Sequence, residues 1–107
     1  MWRNDTIEAT VIFDSKDTEA ALSDVKVIVG SDKFSWPRLA AGQTDKVRLR
    51  PHADDDRQLT LLFRLREQNK AWEGPKFGIG VGYRIIMTID SRGAVIGRHC
   101  ILPCDLD

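Results

Sequence analysis

Apolar side chains recur at every second position through most of this chain, the period of strands that lie half in a core. Ile7, Ala9, Val11 and Phe13 alternate with Thr6, Glu8, Thr10 and Ile12, and Val25, Val27 and Val29 alternate with Asp24, Lys26 and Ile28 up to Gly30. Phe34 and Trp36 share a face of a third, short segment. Pro37 has no backbone donor and confines that segment to an edge or an end. Val47 and Leu49 alternate with Lys46, Arg48 and Arg50, and Leu59, Leu61, Phe63 and Leu65 mark a strong strand over residues 58–66. The longest alternation runs from Phe77 through Ile79, Val81, Tyr83, Ile85 and Met87 to Ile89, and a return strand spans residues 94–101.

Between these segments lie turn signals at Ser31–Lys33, Ala40–Gln43 and Asp90–Gly93, where Gly93 suits the left-handed position. Residues 14–23 read as a polar turn with a brief helical stretch from Thr18 to Leu22, and residues 51–57 as a solvated loop. Residues 67–76 read as the longest irregular connection. Seven strands with turns every 8–12 residues and no long helix predict an all-β, antiparallel sandwich or small barrel. Its edges are expected at the Pro37 segment and at the first and last strands.

The succession "LSDVKVIVG", a short aromatic strand, "LAAGQTDKVRL" and "LTLLFRL" resembles an immunoglobulin-like or fibronectin-type β-sandwich of the kind found in small bacterial proteins. The resemblance implies a seven-stranded Ig-like β-sandwich with Trp36 as its core tryptophan. The inter-sheet cysteine pair of antibody domains is absent, with Val25, Val27 and Leu61 at comparable interior places. It implies a fold and no activity.

Composition narrows the function. A chain of 107 residues and 12.1 kDa is the length of one domain, spanning residues 1–107, and 42% apolar content supports a core. Lys and Arg number 16, as do Asp and Glu, and each half of the chain balances by itself. That excludes binding to nucleic acid by bulk charge, a polybasic membrane segment and default disorder. No apolar run approaches the ~18 residues of a membrane span. Trp2-Arg3-Asn4-Asp5 leads straight into the first strand, with no signal-peptide core. Such a start suits two situations: a complete cytoplasmic chain, or a piece of a cell-envelope or periplasmic protein cut just after a membrane anchor.

Two constellations are candidates for binding. Gly78, Gly80 and Gly82 strip side chains from one face of the predicted 77–89 strand. Trp72 or Trp2 would cover that face internally, or a partner would. The series is not a phosphate loop, because the residues after it are strand-like and supply no helix N-terminus. If residues 46–50 and 58–66 pair as a hairpin, Lys46, Arg48, Arg50, Arg64 and Arg66 form one basic outward stripe. Neighbouring acids would neutralise it, or an acidic partner would sit on it.

Candidate chemistry is sparse. His99 and Cys100 are adjacent in a strand and point to opposite faces, so they do not form a nucleophile–base pair. His52 stands elsewhere. Asp54-Asp55-Asp56 lacks calcium-loop spacing and reads as a turn. Cys100 and Cys104 would lie roughly 13 Å apart if extended, too far to bond, so free thiols are expected; a turn at Pro103 would allow a local disulfide, and an intermolecular disulfide or metal ligation are the other readings. No catalytic set, cofactor or metal is expected. The expected function is a non-catalytic interaction or structural module with a protein partner, such as the soluble domain of a bacterial envelope protein. The alternatives are a cytosolic inhibitor of the immunity type and a small Cys/His enzyme.

Overall fold

The structure, a computed structural model, describes residues 6–52, 56–78 and 80–104. Among them eight strands form two four-stranded sheets, with no helix. The first sheet contains β1 (Ile7–Asp14), β4 (Thr44–Leu49), β7 (Tyr83–Asp90) and β8 (Val95–Ile101), in the order β4-β1-β7-β8. The second contains β2 (Ala21–Val29), β3 (Asp32–Ala40), β5 (Gln58–Leu65) and β6 (Gln68–Lys76), in the order β3-β2-β5-β6. The class is therefore an all-β, two-sheet sandwich.

The alternation read from the sequence supplies its interior. Ile7, Ala9, Val11 and Phe13 of β1 are wholly buried, as are Val25, Val27 and Val29 of β2. Leu59, Leu61, Phe63 and Leu65 of β5 and Ile85, Met87 and Ile89 of β7 complete the same core.

Several expectations give way. The strand count is eight, because residues 68–76 form β6 rather than an irregular connection. A two-residue turn at Arg66-Glu67 makes β6 the hairpin partner of β5, with φ of 52° and 66° at positions where Asn-Gly is the usual signal. The sheets are not purely antiparallel: β1 runs parallel to β7 from Ile7↔Tyr83 to Asp14↔Asp90. In the constant-type immunoglobulin order the first two strands are neighbours in one sheet; here β1 and β2 lie in opposite sheets. β1 is consequently central, while the Pro37-bearing β3 and the last strand β8 are edges as expected. The expected helical stretch is a turn, closed by the amide of Ala20 on the carbonyl of Asp17 at 3.0 Å.

β2 is longer than its alternation suggested, because its phase flips within it. Leu22 and Val25 are both fully buried though three residues apart. The flip is a bulge: β2 takes three steps from Ser23 to Lys26 while β5 takes two from Arg64 to Leu62, and Asp24 sits at φ 49°.

Candidate functional site

The basic stripe does not form. Its two segments, β4 and β5, belong to different sheets, and the chain crosses between them through residues 50–57. Lys46 and Arg48 lie on β4 in the first sheet, Arg64 on β5 in the second, and Arg66 in the β5–β6 turn. Arg50 follows β4, its amide donating to Asp32 Oδ2 at 2.7 Å. The expected hairpin took strands adjacent in sequence as adjacent in space, a rule that fails at this crossover.

Each outer face instead carries its own short basic row. On the first sheet the pairing aligns Arg48, Glu8, Arg84 and Cys100 across the four strands. Glu8 takes Arg48 Nη2 on Oε1 at 3.3 Å and Arg84 Nη2 on Oε2 at 2.9 Å, with Arg84 Nε on the same oxygen at 3.1 Å. Arg84 Nη1 also donates to the carbonyl of Cys104. On the second sheet Arg38, Ser23, Arg64 and Asn69 align.

The glycine series is a loop and not a strand face. β6 ends at Lys76 and β7 begins at Tyr83, with Gly80 at φ 79° between them. A Cβ on Gly80 would meet nothing within 4 Å, so its conformation requires glycine and its surroundings do not. The Gly78 amide donates to the Tyr83 hydroxyl at 3.2 Å, and the Gly82 carbonyl accepts from Leu102 at 2.9 Å. Trp72 does not cover this loop. It packs on Gly97 of β8 and Gly74 of its own strand. Trp2, Ile79, Asp54 and Asp55 lie outside the described residues.

Cys100 and Cys104 are joined by a disulfide with their Cα atoms 6.3 Å apart, which corrects the expected free thiols. β8 ends at Ile101 and the chain bends through Leu102 and Pro103, so the extended spacing does not apply. The bond removes Cys100 as a thiolate nucleophile. His99 on β8 stands edge-on to Phe77, ring centroids 6.1 Å apart, and Phe77 also contacts Tyr83 at 4.7 Å. Among the described residues no three His, Cys, Asp or Glu side chains group to hold a metal.

Arg57 gave no sequence signal, sitting beside aspartates in what reads as a solvated loop. It is 2% exposed, its Nη2 donates to the His52 carbonyl at 3.3 Å, and its own carbonyl accepts from Phe77. Pro51 is buried with it. The β4–β5 crossover thus carries part of the interior.

Concavities on the outer surface include two with cationic rims. One of about 370 Å³ crosses the second sheet, with Leu62 and Ala71 in its wall and Lys26, Arg64 and Asp24 around them. Another, of about 190 Å³, lies between the Arg66 and Arg92 turns. Such features offer apolar contact and cationic rims for binding.

The sandwich arrangement recurs in solved structures. The solution structure of a protein from Eubacterium rectale matches with a TM-score of 0.56 and 11% identity, over 96% of this chain and 94% of that one. A protein from Bacteroides ovatus described as a "putative cell adhesion protein" matches with a TM-score of 0.51 and 11% identity. That match covers 92% of this chain and 44% of the Bacteroides protein, so the sandwich spans less than half of it. At such identity the likeness is one of fold. No protein-family model matches the chain, and no curated protein matches it.

Proposed function

We propose that this sandwich is a non-catalytic binding module that works in an oxidising compartment, as part of a bacterial cell-envelope protein. The Cys100–Cys104 disulfide carries the reading, because such bonds persist outside the cytoplasm and are reduced within it. A cytosolic inhibitor would be expected to keep its thiols free, and the disulfide counts against that alternative. An enzyme using Cys100 would need the thiol that the bond consumes. The apolar wall around Leu62, rimmed by Lys26 and Arg64, is a surface of the type that docks a protein segment. A fold likeness that fills 44% of the Bacteroides ovatus protein supports use as a module within a longer chain.

The test is fractionation of the producing bacterium with thiols alkylated at lysis. Recovery in the envelope fraction with both cysteines protected from alkylation is the expected result. Recovery in the cytosol with Cys100 and Cys104 alkylated would overturn the proposal.

A further inference from the structure

A groove of about 190 Å³ opens at the end of the sandwich where the β5–β6 and β7–β8 turns meet, lined by Leu65, Arg66, Gln68, Lys70, Ser91 and Arg92. Three of those six are cations and none is an acid. They come from different sheets: Arg66 lies in the turn of the second with Lys70 on the strand after it, and Arg92 lies in the turn of the first. Among the described residues no ion pair within 4.0 Å engages Arg66, Lys70 or Arg92, although the Arg92 charge acts at longer range on the Asp90 carboxylate. The acids nearest in sequence are Glu67, in the same turn as Arg66, and Asp90. Asp90 Oδ1 already accepts the amides of Arg92 at 2.8 Å and Ala94 at 2.9 Å.

The lysine is held in place. A Cβ on Gly93 would meet Lys70 Cε at 3.3 Å and Cδ at 3.6 Å, so the stem of Lys70 lies across the glycine of the opposite turn. Gly93 also needs its φ of 88°. One glycine therefore closes a turn and seats a cation from the other sheet. Like charges brought together at a turn cost free energy unless an anion lies between them. The volume equals about six waters at ~30 Å³ each, room for one tetrahedral oxyanion and part of its hydration.

We propose that this groove binds a phosphate or sulfate ester, with Arg66, Lys70 and Arg92 as charged donors and the Gln68 amide and Ser91 hydroxyl completing the shell. The inference is independent of the module reading. Arginine forks suit tetrahedral oxyanions, and the lysine, its stem seated against Gly93, supplies a point charge beside them.

The experiment is an amide NMR titration of the intact chain with inorganic phosphate, inorganic sulfate, glucose 6-phosphate and glucose 6-sulfate, at constant ionic strength. Saturable shifts centred on residues 66–68 and 91–93 are expected, and the tighter sugar ester identifies the source. Lys70→Gln should weaken binding by about tenfold, the equivalent of one charge-assisted hydrogen bond. Lys46→Gln, on the edge strand β4 away from the groove, should leave binding unchanged and shows that bulk charge is not responsible. Shifts that never saturate, or an affinity equal in wild type and Lys70→Gln, would overturn the site.

Discussion

The indole of Trp72 on β6 lies against the bare α-carbon of Gly97 on β8, one sheet closing over a gap in the backbone surface of the other. A Cβ at Gly97 would meet Trp72 Cζ2 at 2.8 Å, and one at Gly74 would meet Cζ3 at 2.9 Å. The two glycines make the slot that takes a large ring at the open side of the sandwich. Gly97→Ala should therefore cost about 1–3 kcal/mol by overpacking. In a Trp72→Ala background the same substitution should cost almost nothing. Chemical denaturation of the four proteins measures the coupling, and equal losses in both backgrounds would refute the contact.

Glu8 is the hub of the ion pairs on the first sheet, with its side chain 16% exposed against 31% for Arg84 and 69% for Arg48. Removing it takes the facing carboxylate from the half-buried Arg84, which keeps the Cys104 carbonyl. Glu8→Ala should cost about 1–3 kcal/mol, whereas Arg48→Ala, an exposed partner, should fall within about 0.5 kcal/mol of wild type. Equal unfolding midpoints for the two variants would count against that ranking.

The Cys100–Cys104 bond closes a very short loop, so its effect on the unfolded chain is at the small end. Cys100→Ser with Cys104→Ser should lose about 2 kcal/mol, by the loop-closure relation. Intact-mass analysis after alkylation should show two labels with reductant and none without. Two labels on unreduced, folded protein would contradict the bond.

Among the described residues, Asp90 has an acidity clearly shifted by its surroundings. The amide of Ala94, then that of Arg92, and the nearby Arg92 charge hold its carboxyl below the ordinary aspartate value, against a smaller opposing effect of desolvation. A lowered folded-state value stabilises the fold above the unfolded-state value, and the contribution is lost as pH falls through the lowered one, below about pH 4. The gap in stability between wild type and Asp90→Asn should thus be largest near neutrality and shrink in acid. A gap that stays constant from neutrality to strong acid would refute it.

The strands with two-sided alternation, β1 around Val11 and β5 around Leu61, were legible because each inward residue is a strong hydrophobe. β6 was not, since its half-buried positions are Lys70, Trp72, Gly74 and Pro75, and a lysine, a glycine and a proline break the apolar alternation. Arg66-Glu67 hid the hairpin because neither residue advertises a left-handed turn. The 77–89 run misled in the opposite direction: Phe77 and Tyr83 keep the alternating phase across a loop that Gly80 bends out of the sheet. Pairing was the least legible level, because nothing local in β4 says that it joins β1 rather than β5. The basic stripe failed for that reason. The cations of the turn groove were visible as letters, but their meeting depends on two sheets closing over each other.

The parallel seam between β1 and β7 has a consequence for biosynthesis. Glu8 and Arg84, joined across it, are 76 residues apart. A growing chain that has not yet delivered Tyr83 can give β1 only β4 as a neighbour, leaving a long apolar strand with one unsatisfied side. The second sheet, complete at Lys76, is available first. Translation that stalls between those two points would leave a half-built protein with an open edge ready to recruit any passing strand, the situation in which chaperones are needed most.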